Sequence, residues 1–238
     1  MKKVIFPLLG TNKGGNILSA ISICKKINQA KFKSSILLIS SSKKKNYVYY
    51  LLRKRRIDNI NFITLREQKI PYLKNIKLII SLIKFFYNNK YDIVHTNDGY
   101  LNFYFSILKK IFGYKLIIHL RNTDNSRRNY ISFFLANKII CISHFVKKKI
   151  SNLFNQKKKV IYNYVETYEN KIKLIKNHKN FIQRNINKKI ILFISNLHER
   201  KKPEIFLDVL KNLSSKDKDY IGLMIIRSSK EDYLYLKN

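Results

Sequence analysis

The sequence predicts an α/β protein in which a complete parallel-sheet domain is followed by the first βαβ unit of a second. Three observations lead there. Short apolar runs rich in Val and Ile alternate with longer amphipathic stretches almost from end to end, as strands and crossover helices do around a parallel sheet. Those runs lack polar alternation, as expected of strands covered on both faces. A chain of 238 residues that is 45% hydrophobic can also bury a large core.

The elements follow in order. Val4–Leu9 reads as the first strand, because the apolar run after Met1-Lys-Lys meets Gly10 too soon for a cleaved leader. Helix Ile17–Ala30, strand Ser35–Ser40, helix Tyr47–Arg55 and strand Asn61–Leu65 come next. Helix Tyr72–Asn88 starts just behind Pro71 and repeats Leu73, Ile76, Ile80 and Ile83 at helical spacing. Strand Asp92–Thr96, helix Leu101–Phe112, strand Leu116–Leu120, strand Ile139–Ile142, helix His144–Phe154 and strand Val160–Tyr162 complete a domain over 1–165. Residues 166–187 are polar and rich in Lys and Asn, a linker with room for one helix. The segment 188–238 then offers strand Ile190–Ile194, helix Glu204–Leu213, strand Ile221–Ile226 and a helix from Lys230. One such unit cannot enclose a core of its own, so the second domain is expected to be partial. No repeat of fixed period is present.

Composition narrows the function classes. No apolar run reaches the roughly 18 uncharged residues of a spanning helix; Lys84, for example, interrupts Leu78–Phe86. Cys24 and Cys141 sit in apolar patterns without metal-ligand spacing, which points to buried thiols in a reducing, cytoplasmic setting. The formal charge of +35 would ordinarily indicate a polyanionic partner. Lys far outnumbers Arg, however, and Asn, Ile, Tyr and Phe are abundant, so part of the charge is compositional background. It is also uneven: before residue 166 the acids are Asp58, Glu67, Asp92, Asp98 and Asp124, whereas the remainder holds nine of the 14. The first domain is thus the cationic one, suited to peripheral attachment at an anionic membrane surface, where each basic residue contributes on the order of 1 kcal/mol.

Candidate chemistry gathers where strands end. Gly10-Thr-Asn-Lys-Gly14-Gly15-Asn16 follows the first strand and opens a helix. Paired glycines admit a ligand to the backbone and a helix N-terminus attracts anions, although neither Gly-x-Gly-x-x-Gly nor a Gly-Lys-Ser/Thr ending is present. Asp98 and Gly99 follow the fourth strand; His119, Arg121, Asn122 and Asp124 close the fifth. Open α/β sheets place ligands at the carboxyl ends of their strands. His119, with an ordinary pKa of about 6.5, suits proton transfer or a hydrogen bond to a hydroxyl. Asp98 and Asp124 could act as bases or as helix caps, and His95 reads as a structural strand residue. Beyond the linker, Arg200-Lys201-Lys202 precede a helix and could clamp a phosphate. No His, Asp or Cys cluster has metal-ligand spacing, so no metal site is expected.

Taken in order, these segments resemble the GT-B glycosyltransferases of family 4, the group 1 type. The Gly14-Gly15 loop resembles the family's first glycine loop, and Tyr91-Asp-Ile-Val-His-Thr-Asn its "D-I-V-H" strand. Lys138-Ile-Ile-Cys-Ile-Ser resembles "A-D-x-I-I-x-x-S", Val160-Ile-Tyr-Asn-Tyr-Val-Glu the "V-I-P-N-G-V-D" crossing, and Ile191 to Lys201 the strand and "R-K-G" turn. Asn196 stands where the family often has Arg, Lys202 where it has Gly, and Asn163-Tyr164 where it has Asn-Gly.

The resemblance implies a GT-B-like pair of Rossmann-like domains and transfer of a hexose from a nucleotide diphosphate sugar to a lipid-linked or growing surface glycan, with no metal or other cofactor. It implies that Arg200, Lys201, Gly14 and Gly15 bind the donor diphosphate, that His119 contacts the transferred sugar, and that Asp98, Arg121 and Asp124 bind the acceptor. The family's Glu-x7-Glu element would fall beyond Asn238, so little or no transferase activity is expected of these 238 residues. Two other readings stay open: a basic nucleic-acid-binding protein, although no nucleic-acid-reading motif appears, and another GT-B enzyme such as a nucleotide-sugar 2-epimerase.

Overall fold

Seven parallel strands build the first of the two units into which the chain divides, Met1–Glu166 and Thr167–Asn238. The computed structural model describes residues 1–11, 14–43, 46–65, 71–122, 126–164, 176–196 and 201–227. In the first unit the strands are β1 (Lys2–Leu9), β2 (Phe32–Ser40), β3 (Ile60–Thr64), β4 (Ile93–Thr96), β5 (Lys115–Leu120), β6 (Lys138–Cys141) and β7 (Lys158–Val160). Their order across the sheet is β3-β2-β1-β4-β5-β6-β7. The chain therefore winds outward from β1 to one edge, returns to β4, and winds to the other. The reversal lies between β1 and β4, which pair in parallel through Val4 with Ile93 and Ile5 with Val94.

Alternate strand residues feed two cores. Ile5, Leu37, Ile39, Val94 and Ile118 point to one face, with Leu78, Leu82 and Phe86 of α3 (Pro71–Asn88) and Leu101, Phe105 and Leu108 of α4 (Gly99–Phe112). Phe6, Leu8, Ile36 and Leu38 point to the other, with Ile17 and Ile21 of α1 (Gly15–Lys26) and Val48 and Leu52 of α2 (Tyr47–Lys54). Burial on both faces is why the strands read as continuous apolar runs, each large side chain contributing roughly 1.5–3 kcal/mol.

Three helices depart from expectation. The first stops at Lys26 instead of Ala30, because Ile27 turns to ψ 141 and the Asn28 carboxamide accepts from Ala30 N at 3.0 Å. The expected helix His144–Phe154 divides into α6 (His144–Lys149) and a 3-10 turn, Asn152–Lys157; Ile150 is extended and Ser151 Oγ caps the new turn. A helix absent from the sequence reading, α5 (Arg127–Leu135), starts from Ser126, whose Oγ accepts from Asn129 N. On α3 the apolar repeat faces the other way: Leu73, Ile76, Ile80 and Ile83 are exposed, and Leu78, Leu82 and Phe86 fill the core.

The second unit contains α7 (Lys176–Arg184), which falls in the expected linker, then β8 (Lys189–Asn196), α8 (Pro203–Lys216) and β9 (Tyr220–Arg227). Strands β8 and β9 pair in parallel. A Cβ on Gly222 would lie 2.0 Å from Leu210 Cδ1, so glycine is what lets α8 press on β9. The helix expected from Lys230 lies outside the described residues. Among the described residues no helix is long and apolar enough to cross a membrane.

Candidate active site

At the carboxyl edge of the sheet, Gly10 closes β1, and a side chain there would collide: its Cβ would stand 2.5 Å from Ser40 Oγ and from Asn46 Nδ2. The close approach allows one carboxamide to join three elements. Asn46 Nδ2 donates to Gly10 O (3.1 Å) and to Ser40 Oγ (2.7 Å), while its Oδ1 accepts from Tyr49 N and caps α2. The ends of β1 and β2 are fixed in this way on one side of the strand-order reversal.

The loop then reaches Gly14, the N-cap of α1, in an extended conformation that any residue could adopt. No side chain caps this helix and no acid lies in its first turn. A Cβ on Gly15 would meet no atom within 4 Å. Gly15 is therefore not demanded by the packing around it, whereas a Cβ on Gly14 would stand 3.2 Å from Asn16 Oδ1.

On the other side of the reversal lies a buried polar cluster. His95 of β4 and His119 of β5 are 6% and 5% exposed. Their rings stack with centroids 5.5 Å apart, and Phe6 of β1 covers His95 at 5.0 Å. Just beyond β5, the Arg121 guanidinium donates to Asn97 Oδ1 at 3.3 Å and to Asn163 Oδ1 at 3.1 Å. One side chain thereby ties the ends of β4, β5 and β7. Five buried polar atoms of this cluster have no hydrogen-bond partner within the protein: His95 Nε2, both ring nitrogens of His119, Asn97 Nδ2 and Arg121 Nε. Leaving such a group unpaired costs about 1–3 kcal/mol, and folded proteins keep few of them.

Burial sets the charge state of the cluster. It pushes His119 down to about 4, with the Arg121 charge adding to the effect. His95 falls to about 3, by burial first and then by the neighbouring His119 and Arg121. Both imidazoles are neutral at pH 7, while Arg121, although lowered by burial, holds the positive charge. His119 is therefore set up to exchange hydrogen bonds with a polar ligand and is not poised to shuttle a proton near neutrality.

The other sequence-predicted residues fall as follows. Asp98 caps α4, accepting from Tyr100 N at 2.9 Å. Asp124 and Arg200 lie outside the described residues. Lys201 is exposed in the second unit, directly before α8. Lys202, its neighbour, has φ 51, a left-handed position at which glycine would be unstrained, and its amine is 3.8 Å from Glu204 Oε1. Asn97, Asn163 and the stacking role of His95 were not foreseen. The signal was available for two of them: His95-Thr96-Asn97 is a polar run ending an apolar strand beside the reversal. Among the described residues no group of three His, Cys, Asp or Glu side chains could hold a metal ion. Two large concavities, of about 410 and 900 Å³, lie at the opposite, amino edge, around Lys33, Asn61 and Tyr91 and around Tyr87, Ile111 and Tyr114.

The fold has counterparts among known proteins. Residues 24–169 match Glycosyltransferase Family 4. No curated protein sequence matches the chain. Among solved structures, the chain is similar to Anabaena Alr3699/HepE in complex with UDP and glucose, at 17% identity and a TM-score of 0.71, over all of this chain and 64% of that one. It is similar to the lipopolysaccharide outer core galactosyltransferase WaaB at 13% identity and a TM-score of 0.62, over all of this chain and 71% of WaaB. UDP-GlcNAc 2-epimerase from Neisseria meningitidis bound to UDP-GlcNAc aligns at 14% identity and a TM-score of 0.60, over 94% of this chain and 66% of the epimerase. These likenesses show a GT-B fold, of which the seven-stranded unit is the Rossmann-like N-terminal domain.

Proposed function

Because the chain belongs to glycosyltransferase family 4, we propose that it serves the transfer of a hexose from a nucleotide diphosphate sugar to a hydroxyl of a lipid-linked or growing surface glycan. The observation that carries this reading is the buried His95–His119–Arg121–Asn97 cluster at the reversal of strand order, with donors and acceptors directed at no protein partner. Neutral imidazoles and an amide in that position suit sugar hydroxyls, and the guanidinium suits an oxygen of the acceptor. Similar structures with UDP or UDP-sugars bound support a nucleotide sugar as the partner.

In the reaction, the bond between the anomeric carbon and the diphosphate oxygen breaks as a bond to the acceptor hydroxyl oxygen forms. The nucleotide diphosphate departs with the bonding electrons, and the hydroxyl proton passes to the departing diphosphate oxygen. Negative charge grows on the diphosphate, so cations placed beside it lower the barrier. Lys201 and Arg200 are assigned to that leaving group, and Gly14 and Gly15 are assigned to admit it, with open space beside Gly15. His119 hydrogen-bonds the transferred sugar. Asp98, Arg121 and Asp124 are assigned to the acceptor, with Asp98 also capping α4. A lipid-linked acceptor would be met at the inner face of a cytoplasmic membrane, and the cationic first unit supports peripheral attachment there.

A 2-epimerase shares the fold, but the family match favours transfer. A panel of nucleotide hexoses tests the proposal, with donor binding measured by calorimetry and any release of nucleotide diphosphate and product glycan by chromatography. His119→Ala is expected to weaken donor binding or turnover at least about tenfold, the scale of one or two lost hydrogen bonds in a buried site. Exchange of the sugar epimer without release of nucleotide diphosphate would contradict transfer.

A further inference from the structure

The two concavities at the amino edge of the sheet adjoin each other, because Lys3, Asn89, Lys90 and Tyr91 line both. The smaller, of about 410 Å³, lies where β1, β2 and β3 begin. Its volume is that of a small-molecule site, roughly 300–1,000 Å³, but such sites are mostly apolar. This one is walled by amide, ammonium and hydroxyl groups. Among the described residues that line it, Ile60 is the only aliphatic one.

Three of its carboxamides are anchored through nitrogen. Asn59 Nδ2 donates to Ser34 O at 3.4 Å, Asn61 Nδ2 to Tyr91 OH at 3.1 Å, and Asn89 Nδ2 to Phe85 O at 2.9 Å. Ser35 Oγ donates to the same Tyr91 hydroxyl at 3.3 Å, which fixes the wall between the two concavities. Each of the three amides keeps its Oδ1 without a partner among the described residues, and an amide oxygen has two lone pairs with which to accept from a ligand's hydroxyls. Amide oxygens also ligate metal ions. Here Lys3, Lys33 and Lys90 stand in the same wall and repel a cation.

The lysines select an acid instead. The nearby carboxylates are engaged elsewhere: Asp58 faces Arg53 at 3.8 Å, and Asp92 accepts from Lys3 N at 2.7 Å. No ion pair neutralises the three ammonium groups among the described residues. Hydroxyl acceptors held at fixed positions beside unneutralised cations suit a ligand that is polyhydroxylated and anionic at once. The adjoining concavity, of about 900 Å³, gives such a ligand room for more than one sugar ring.

We propose that the amino-edge concavity binds an acidic oligosaccharide, its hydroxyls donating to Asn59, Asn61 and Asn89 and its carboxylates held by Lys33 and Lys90. The site lies at the opposite edge of the sheet from the buried histidine cluster, so it does not depend on the donor reading given above.

Calorimetry with tetragalacturonate tests this at about 0.15 M salt, where the Debye length of about 8 Å screens the general field of the +35 chain. One tetrasaccharide is expected to bind per chain, with the neutral maltotetraose at least about tenfold weaker. Lys33→Gln/Lys90→Gln should weaken the acidic sugar at least about tenfold, the scale of lost charge-assisted hydrogen bonds. Both lysines are exposed, so the melting temperature should hold. Lys148→Gln/Lys216→Gln removes the same charge from exposed positions elsewhere and should leave binding unchanged. Asn59→Ala, also exposed, should weaken tetragalacturonate severalfold and leave inorganic phosphate unaffected, which separates hydroxyl recognition from attraction by charge. No binding of tetragalacturonate, an equal loss in the two lysine variants, inorganic phosphate bound as tightly as the sugar, or a tetranucleotide bound more tightly at the same lysines would each overturn the proposal.

Discussion

Arg121 and His119 owe their properties to burial more than to their chemical type. The guanidinium is fixed by Asn97 and Asn163, and its charge adds to the desolvation that keeps both imidazoles neutral. The consequence for stability has a definite sign. Folded values of about 4 for His119 and about 3 for His95 lie below the ordinary value near 6.5, so the unfolded chain binds more protons as the pH falls. Their contribution is complete above about pH 7 and declines as acid is added. Between pH 7.5 and 5, above the range of most carboxylates, it should amount to roughly 2 kcal/mol of lost stability per imidazole. Urea denaturation at a series of pH values measures this. The slope should fall by about half in His95→Phe, and an unchanged slope would show that the imidazoles are not the source. At this scale His119 and Arg121 were legible in the sequence, because polar residues that end an apolar strand stand out. Asn163 was not, since its partner Arg121 is 42 residues away and only closure of the sheet brings them together.

Elements were legible wherever burial wrote a period into the sequence. Strands β1, β2 and β5 read clearly because both faces are covered. Helix α5 did not, because it buries polar groups: Asn129 and Ser132 are buried, and Ser132 Oγ donates to Arg128 O at 2.8 Å. No apolar repeat records such a face. Helix α3 shows the opposite limit. It has apolar residues on two arcs, and periodicity cannot say which of them meets the sheet. The structure turns that ambiguity into a contrast between neighbours. Leu78, fully buried, should cost about 2–5 kcal/mol when replaced by Ala. Ile80→Ser, two residues on but 60% exposed, should change stability by no more than about 0.5 kcal/mol. Thermal unfolding of the two variants checks the assignment, and similar losses at both positions would refute it.

Across the whole molecule, the order β3-β2-β1-β4-β5-β6-β7 is what gives the scattered motifs a common place. Sequence distance separates Gly10, His95, Arg121 and Asn163, yet each ends or follows a strand at the same edge of one sheet. Parallel α/β topology was readable from the alternation of apolar and amphipathic segments. The strand order was not, since nothing local to β1 and β4 records that they pair. The first unit contains the buried cluster, and in the second Lys201 stands ahead of α8. The chain spans 64% of the length of HepE. Nuclear magnetic resonance of the chain with isotope-labelled histidine, titrated with a panel of nucleotide diphosphate hexoses, tests the central claim most directly. The ring signals of His95 and His119 should move together and saturably with a cognate donor, and the movement should disappear in Arg121→Met. Saturable binding that leaves both imidazoles unmoved, or no saturable binding of any sugar nucleotide, would contradict the assignment of this cluster to the sugar site.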